Sequence, residues 1–401
     1  MPGASAADRR LLMEVETGNL NGVTRLLGGG ANVNGSRFLD LRPLISAARA
    51  GNTTMIKLLI SSGADLEVEA RFPEGARAVH AVVSSDNPGA LCALLEAGAS
   101  VNCRDGDGLT ALMNTALAST GVVMAQHLFR AGANPSIRNL QGMSALHVAA
   151  GLGNTQVMEV ILAHAPSLLN APDDRGFSPM GIAALKRKRR AVSCLLSAGA
   201  SDERVHEDQA AIFWAAEGGV PNMVRMMLKH PIHRVGGIKA IPNSLGVAIQ
   251  GKQARMLNML LSVQGEENRR KWAECPLRGG SPLRVAAAWV SLRAIHVLLT
   301  AGADETRVDR DGQTITENIG AAVESTPSSW VFTEEMACCR RMVERGPAFR
   351  ARSYGWSAQG DPTSEVVISS KVEPAGSLGV SVFRPMGTRF FAERFARYAK
   401  K

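Results

Sequence analysis

The stretch GANPSIRNLQGMSALHVAAGLGN, at residues 132–154, decides the fold because its two phrases recur along the chain. Its opening Gly-Ala pair follows an apolar run, and the Gly returns at Gly30, Gly63, Gly98, Gly132, Gly199 and Gly302. The first three intervals are 33, 35 and 34 residues, and the last two, 67 and 103, are about two and three times as long. Weaker copies at 161–170, 226–231 and 259–265 fill the gaps. The chain therefore contains nine units, and the spacing between them is typical of repeat architectures.

Each unit predicts two short helices joined by a tight turn. Ser144 can cap the free N–H groups of a first helix, on which Leu146 and Ala149 form an apolar stripe. Gly153-Asn154 can adopt positive φ and reverse the chain into a second helix. The next Gly-Ala pair, or a weaker copy of it, then ends that helix. Because two such helices bury too little surface alone, the units must stack on one another.

These phrases resemble the ankyrin repeat. The resemblance rests on Ser144-Ala145-Leu146-His147, on Gly153-Asn154 and on Gly132-Ala133-Asn134, and with the other copies it covers roughly residues 5–306. It implies an all-α repeat solenoid of helix-turn-helix units with β-hairpin-type loops between them. It also implies that His147 is structural, with its ring bonded to neighbouring backbone.

The repeats depart from the pattern in three places. Asp86 and Arg187 occupy the position between the two helices where Gly is expected. Residues 205–270 keep only traces of the Gly-Ala phrase. We expect distorted or lengthened loops there, at 230–242 and 264–280.

Beyond the array at residues 1–306, the sequence predicts three further segments. Residues 307–352 read as a degenerate capping repeat, because terminal repeats have one face in water. Residues 353–387 are rich in Gly, Ser and Pro and predict a flexible linker. Residues 388–401 form either a basic amphipathic helix or a disordered tail. The helical face in that segment would carry Phe391, Phe395 and Tyr398, with Arg394 and Arg397 beside it.

Composition and motifs give no sign of an enzyme. No paired carboxylates, phosphate loop or nucleophile with an orienting base stands out, and the six Cys form no CxxC motif. We therefore expect no cofactor, no bound metal and no small-molecule substrate. Scattered Cys and the lack of a long apolar run favour a cytoplasmic or nuclear protein. The net charge of +9 attracts acidic partners, which include proteins, nucleic acid and anionic lipid.

The resemblance implies that partners bind the concave face of the array, which is built from the loop tips and the first helices. By position, the candidates are Arg138, Leu140, Gln141, Met143, Leu152, Asp174, Arg175, Phe177, Lys186 and Trp289. A separate basic cluster, Lys186, Arg187, Lys188, Arg189 and Arg190, spans the turn of the sixth repeat. It is either a nuclear-import or anion-binding patch, or a solvated turn.

Three functions remain open from the sequence. The first is a non-catalytic scaffold or adaptor that binds another protein. The second is a basic protein that reaches anionic membrane or nucleic acid through its tail and the basic cluster. The third, a substrate receptor of a ubiquitin ligase, requires a C-terminal docking box that residues 333–352 do not convincingly supply.

Overall fold

A computed structural model provides the structure of the chain. It describes residues 6–35, 42–71, 74–202, 209–230, 240–263, 268–277, 280–289 and 291–304, with single residues at 206, 265, 306, 314 and 317. The described residues form 19 α-helices and no β-strand. The expectation of an all-α repeat solenoid is confirmed.

The helices fall into nine consecutive pairs. The pairs are α1 (Ala6–Glu16) and α2 (Leu20–Gly28), α3 (Pro43–Arg49) and α4 (Thr53–Ser61), α5 (Ala78–Ser84) and α6 (Pro88–Glu96), α7 (Ala111–Asn114) and α8 (Gly121–Arg130), α9 (Ala145–Leu152) and α10 (Thr155–His164), α11 (Pro179–Leu185) and α12 (Arg189–Ser197), α13 (Ala211–Glu217) and α14 (Pro221–Met227), α15 (Ala240–Gln250) and α16 (Ala254–Leu261), and α18 (Pro282–Ala288) and α19 (Leu292–Thr300). One extra helix, α17 (Arg269–Ala273), precedes the last pair.

Stacking follows chain order in two layers. Each first helix contacts the first helix of the next repeat, from α1 to α3 through to α15 and α18. Each second helix does the same, from α2 to α4 through to α16 and α19. The two layers bury a continuous core of Ala, Leu, Val, Ile and Met side chains between them. A core of small residues lets the helices approach closely, which explains how the chain folds with few aromatic rings.

Side-chain caps explain why many helices begin where they do. Asn19, Asn52, Asn87 and Asn154 each accept a hydrogen bond from a backbone N–H three residues ahead, at the start of α2, α4, α6 and α10. Such a bond satisfies a donor that has no partner inside the helix. In the Gly-Asn pair, the Gly therefore forms the turn and the Asn caps the second helix.

In three repeats whose turn between the two helices lacks the expected Gly, another residue takes the positive φ. Gly153 has φ +83°, and Asp86 and Arg187 both have φ +57° at the equivalent positions. Lys252, in the eighth repeat, has φ +54°. The side chain of Asp86 offsets the backbone strain, because its carboxylate accepts hydrogen bonds from the N–H of Ser119 and the N–H and hydroxyl of Thr120.

Residues 205–270, where the repeat phrases are weak, still form helix pairs. Residues 231–239, most of the first expected loop, lie outside the described residues. In the second expected loop, 264–280, the structure places helix α17, whose Trp272 is 4% exposed. Its indole N–H donates to the carbonyl of Val263 at 3.2 Å. The lengthened connection thus contributes to the core of the eighth repeat.

The predictions for the C-terminal segments fall almost entirely outside the described residues, as do Phe391, Phe395, Tyr398, Arg394 and Arg397. Thr314 and Glu317 are described, and they bond reciprocally in the manner of a capping box. Within the described parts of the chain, no helix combines the length and the apolar character that crossing a membrane requires.

Candidate functional site

Three consecutive loops between repeats share one geometry. We call them the fingers, at residues 103–110, 137–144 and 171–178. In each, a backbone N–H bonds to the carbonyl four residues ahead, from Asp105 to Leu109 (2.9 Å), Asn139 to Met143 (3.0 Å) and Asp173 to Phe177 (2.8 Å). The side-chain oxygen of each of these donors, Asp105, Asn139 and Asp173, also accepts hydrogen bonds from two backbone N–H groups of its own finger. These bonds make each finger a rigid hairpin-type loop, as the resemblance implies.

Neighbouring fingers are bonded to each other. The N–H of Leu140 donates to the carbonyl of Asp107 at 3.1 Å, and the N–H of Gly106 donates at 2.7 Å to the carbonyl of Glu74, in the loop before the first finger. Arg138 and Asp174 form an ion pair at 3.6 Å between the second and third fingers. The fingers therefore present one connected surface rather than three independent loops.

Buried histidines connect the first helices to the next finger. The ring of His147 contacts Ser144 through Nδ1 and the carbonyl of Phe177 through Nε2, at 3.0 Å. His80 repeats this arrangement, with its Nε2 3.1 Å from the carbonyl of Leu109. Burial lowers the pKa of both imidazoles, so the neutral form is favoured. The structural role expected for His147 is confirmed, and His80 plays the same role without having been singled out by its sequence.

Most finger residues expected at the surface are accessible. Leu140 is 64% exposed, and the side chains of Arg138, Asp174 and Arg175 are also exposed. Gln141 is half-buried.

The expectation that Met143 and Phe177 lie at the surface is wrong, because both are buried. Each accepts the bond that closes its finger, which turns its side chain toward the core. The ring of Phe177 packs against Trp214 at 5.6 Å, and the guanidinium of Arg175 lies 5.1 Å above the same ring. Phe177 therefore supports the finger from beneath instead of facing a partner.

The ends of the first helices supply the rest of the expected surface. Leu152 and Lys186 are half-buried at the ends of α9 and α11. Burial, and secondarily the charges of Arg175 and Lys188, lowers the pKa of Lys186. We call the three fingers together with the ends of α9 and α11 the finger face. Trp289, at the end of α18 in the ninth repeat, is 41% exposed.

The basic cluster spans the turn between α11 and α12, as its alignment predicts, and its last two residues begin α12. Arg187, Arg189 and Arg190 are exposed, whereas Lys186 and Lys188 are half-buried. The stem of Lys188 covers Gly153 of the preceding repeat, where an added β-carbon would lie 3.1 Å from it. Full exposure of all five cations, which the run of charge suggests, is thus wrong for the two lysines, because their stems cover apolar surface.

Sequence reasoning missed Leu117, which is 50% exposed at the end of the first helix of the fourth repeat. Alignment of TALMNTALAS with SALHVAAGLG places Leu117 in the slot of Gly151, so a large apolar residue in that slot was the available signal. Trp214 was also missed, at a half-buried position beside the third finger. Among the described residues, no three His, Cys, Asp or Glu side chains cluster in a way that could hold a metal ion. This face carries apolar side chains together with guanidinium and ammonium groups.

Comparisons with known proteins agree with this architecture. The family model described as ankyrin repeats matches three overlapping segments, residues 11–105, 79–168 and 112–206. Similar proteins include human SH3 and multiple ankyrin repeat domains protein 2, 30% identical over 45% of this chain, and mouse inversin, 25% identical over 55%. A fowlpox virus ankyrin repeat protein is 25% identical over 38% of the chain. The chain spans 10%, 21% and 47% of their respective lengths, less than half of each. The matched segments, the nine stacked helix pairs and the bonded fingers together identify the chain as a member of the ankyrin-repeat proteins.

Proposed function

We propose that this chain is a non-catalytic scaffold or adaptor that binds a partner protein through the finger face of repeats 4–6. Ankyrin repeats generally mediate protein–protein interaction, and two of the similar proteins carry such repeats in their names. The face adds the specific argument. A partner needs a rigid surface with a few apolar and arginine anchors, because flexible side chains lose entropy on binding.

The observation that carries the proposal is the position of Leu140. This leucine is 64% exposed on a finger whose backbone is bonded both internally and to the preceding finger. Arg138 and Arg175 lie exposed on the same and the next finger. An exposed apolar side chain on a hydrogen-bonded loop, with exposed arginines on the same and the next finger, favours contact with another protein.

Proximity labelling in living cells tests this function with a matched pair of variants. Leu140→Glu places a charge on the finger face, whereas Val123→Glu places the same charge at a 43% exposed position on the second helix α8. We expect the set of labelled proteins to lose its principal members with Leu140→Glu and to keep them with Val123→Glu. Equal sets for both variants, with both folded by circular dichroism, would contradict the proposed face.

We further propose that this binding takes place in the cytoplasm or nucleus, and that the exposed arginines of the basic cluster contribute to nuclear entry. The test is imaging of a fluorescent fusion with Arg187, Arg189 and Arg190 changed to Gln. A lower nuclear fraction than in the wild type supports the contribution, and an unchanged fraction removes it.

A further inference from the structure

Ser193 lies exposed on α12, the second helix of the sixth repeat. Its hydroxyl makes no hydrogen bond to any residue that the structure describes. By contrast, the hydroxyl of Ser61 on α4 donates to the carbonyl of Leu58 at 2.9 Å. The other side of α12 packs into the array, where Val192 and Leu195 are fully buried. The Ser193 hydroxyl is therefore open to solvent on a helix that is held by its opposite side.

Two arginines precede Ser193 by about one helical turn. Arg189 and Arg190, four and three residues before it, are both exposed, and neither forms an ion pair with a described residue. Residues at these spacings lie on the same side of a helix. No other Ser or Thr in the sequence has Arg at both positions. Because a guanidinium donates two parallel hydrogen bonds to phosphate oxygens, the two arginines are placed to bind a phosphoryl group on Ser193.

The start of α12 also lacks the negative charge that would favour it. The helix begins at Arg189 without a side-chain cap and without an acidic residue in its first turn, and cations at this end oppose the helix dipole. Burial, and secondarily the charge of Glu159 on α10, raises the pKa of the Cys194 thiol, but within the described structure Glu159 pairs with neither arginine. A phosphate on Ser193 supplies the missing negative charge.

We infer that Ser193 is a phosphorylation site for a serine kinase that selects arginine on the N-terminal side of its target. In the reaction, the Ser193 oxygen bonds to the γ-phosphorus of ATP, and the bond from that phosphorus to the oxygen bridging to the β-phosphate breaks. The hydroxyl proton passes to the catalytic base of the kinase, and ADP leaves. The product is a phosphate monoester with a charge of about −2, which pairs with Arg189 and Arg190.

The uncapped start of α12 gives the kinase access to this stretch. Asn154 caps the preceding second helix, whereas Lys188 at the start of α12 makes no such bond. Because a cap stabilises the first turn, α12 opens locally more readily than α10. Opening of that turn presents Arg189 to Ser193 in extended form without unstacking the repeat.

The modification has a consequence for the basic cluster. Arg187, Arg189 and Arg190 are its exposed cations, and a phosphate on Ser193 neutralises the last two. Phosphorylation is therefore expected to reduce the contribution of the cluster to nuclear entry. This consequence, unlike the site itself, rests on the role and the cellular location proposed above.

The full chain, incubated with ATP and the catalytic domain of an arginine-directed serine kinase, tests the site by mass spectrometry. Ser197→Ala is the matched control for Ser193→Ala, because Ser197 is also exposed on α12 but has Ser193 and Cys194 where Ser193 has the arginines. We expect phosphate on Ser193 in the wild type and in Ser197→Ala. Removing both arginines, by Arg189→Gln with Arg190→Gln, should slow its incorporation at least about tenfold. Absence of phosphate from Ser193, or equal rates with and without the arginines, would overturn the inference.

Phosphorus NMR of a chain with phosphoserine genetically encoded at position 193 tests the pairing. The arginines favour the dianion, so the second pKa of the phosphate should lie below its ordinary value of about 6. In the background Arg189→Gln with Arg190→Gln, it should return toward that value. The same pKa in both backgrounds would show that the phosphate does not meet the arginines.

Imaging separates the consequence from the site. We expect Ser193→Ala to raise the nuclear fraction of a fluorescent fusion and Ser197→Ala to leave it unchanged. If changing Arg187, Arg189 and Arg190 to Gln has no effect on that fraction, the role in nuclear entry falls, while the kinase and NMR results still decide the site. If those changes lower the fraction but Ser193→Ala does not raise it, phosphorylation does not regulate entry.

Discussion

Repeats 1–6 and repeats 7–9 use the same helix pairs but hold them with different interactions. In the first group, polar side chains connect one repeat to the next at a nearly constant spacing. Asn34 accepts from the N–H of Asp65, Glu67 from Ser100, Asn102 from Asn134, and Asn170 from Ser201. In the second group, Ser281 caps α18, but α13, α14, α16 and α19 begin without a side-chain cap, as α3, α8 and α12 do in the first group. Burial of Met, Leu and Trp side chains provides the contact between layers in the second group.

The difference indicates which property each group requires. Directional hydrogen bonds fix the fingers in register, which a binding face needs. Apolar burial is not directional, so it stacks helices even after the sequence has lost the repeat pattern. This explains why the family model matches residues 11–206 while helix pairs continue to α19.

The largest expected effect comes from removing the buried indole ring of Trp272 in the second group. We expect Trp272→Ala to cost about 3–5 kcal/mol, because it leaves a cavity between α17 and α16 and removes the indole donor to Val263. Native-state hydrogen exchange should show the loss in α16 and α19 and little change in α9. Trp289→Ala, at an exposed ring, is the control and should change exchange much less; comparable losses would refute the filling role of Trp272.

Asp202 marks the junction between the two groups and gives a pH dependence. Its buried carboxylate accepts from the hydroxyl of Ser178 and from the N–H of Ala211 at 2.7 Å, and burial raises its pKa from 3.8 to about 6. The folded state binds the proton of the Asp202 carboxyl group more tightly than the unfolded state does. The stabilisation that this proton gives the fold is therefore complete below about pH 4 and is lost as the pH rises through 6. The loss is about 3 kcal/mol by pH 7.

Urea titrations at pH 4, 5, 6 and 7 test this dependence in the wild type and in Asp202→Asn. The amide keeps both partners, since it can accept from Ala211 and donate to Ser178, but it has no charge to bury. We expect the variant to be the more stable of the two at pH 7 and to lack this component of the profile. Parallel profiles for the two proteins would show that Asp202 does not titrate in this range.

Within the first group, Asp86 should matter more than an ordinary surface carboxylate. Its replacement by Ala keeps the positive φ and leaves the N–H groups of Ser119 and Thr120 without their acceptor. We expect Asp86→Ala to cost about 2 kcal/mol in urea denaturation, and Asp86→Asn to cost less because Asn tolerates this backbone conformation. Equal stability of Asp86→Ala and the wild type would contradict the capping role.

The smallest expected effect restores the repeat pattern in the second group. Lys252 has φ +54° and an exposed side chain, so Lys252→Gly should stabilise the chain by about 1 kcal/mol by removing backbone strain. Gly18→Ala, at φ +74° in the first repeat, is the reverse change and should destabilise by a similar amount. Thermal denaturation of both variants measures the pair, and a destabilised Lys252→Gly would show that the positive φ of Lys252 does not strain the turn.

Much of this architecture is predictable from the sequence, because the Gly-Ala and Ser-Ala-Leu-His phrases specify turns and caps at single residues. The turn at Arg187 is predicted by alignment despite the missing Gly. Other features depend on contacts between distant residues. The burial of Met143 and Phe177 follows from finger closure, and α17 arises where its sequence resembles no repeat phrase. The exposure of Leu117 depends on the α7 helix ending in a 3₁₀ turn, which helical periodicity does not reveal.

Site-specific photo-crosslinking in living cells tests the central claim most directly, because it reports which face touches a partner. A photoreactive phenylalanine analogue is placed at Leu140 on the second finger or at Val123 on α8, two exposed apolar positions. The account predicts discrete protein adducts from position 140 and none from position 123. Adducts from position 123 alone would contradict it and would move the binding surface to the second helices.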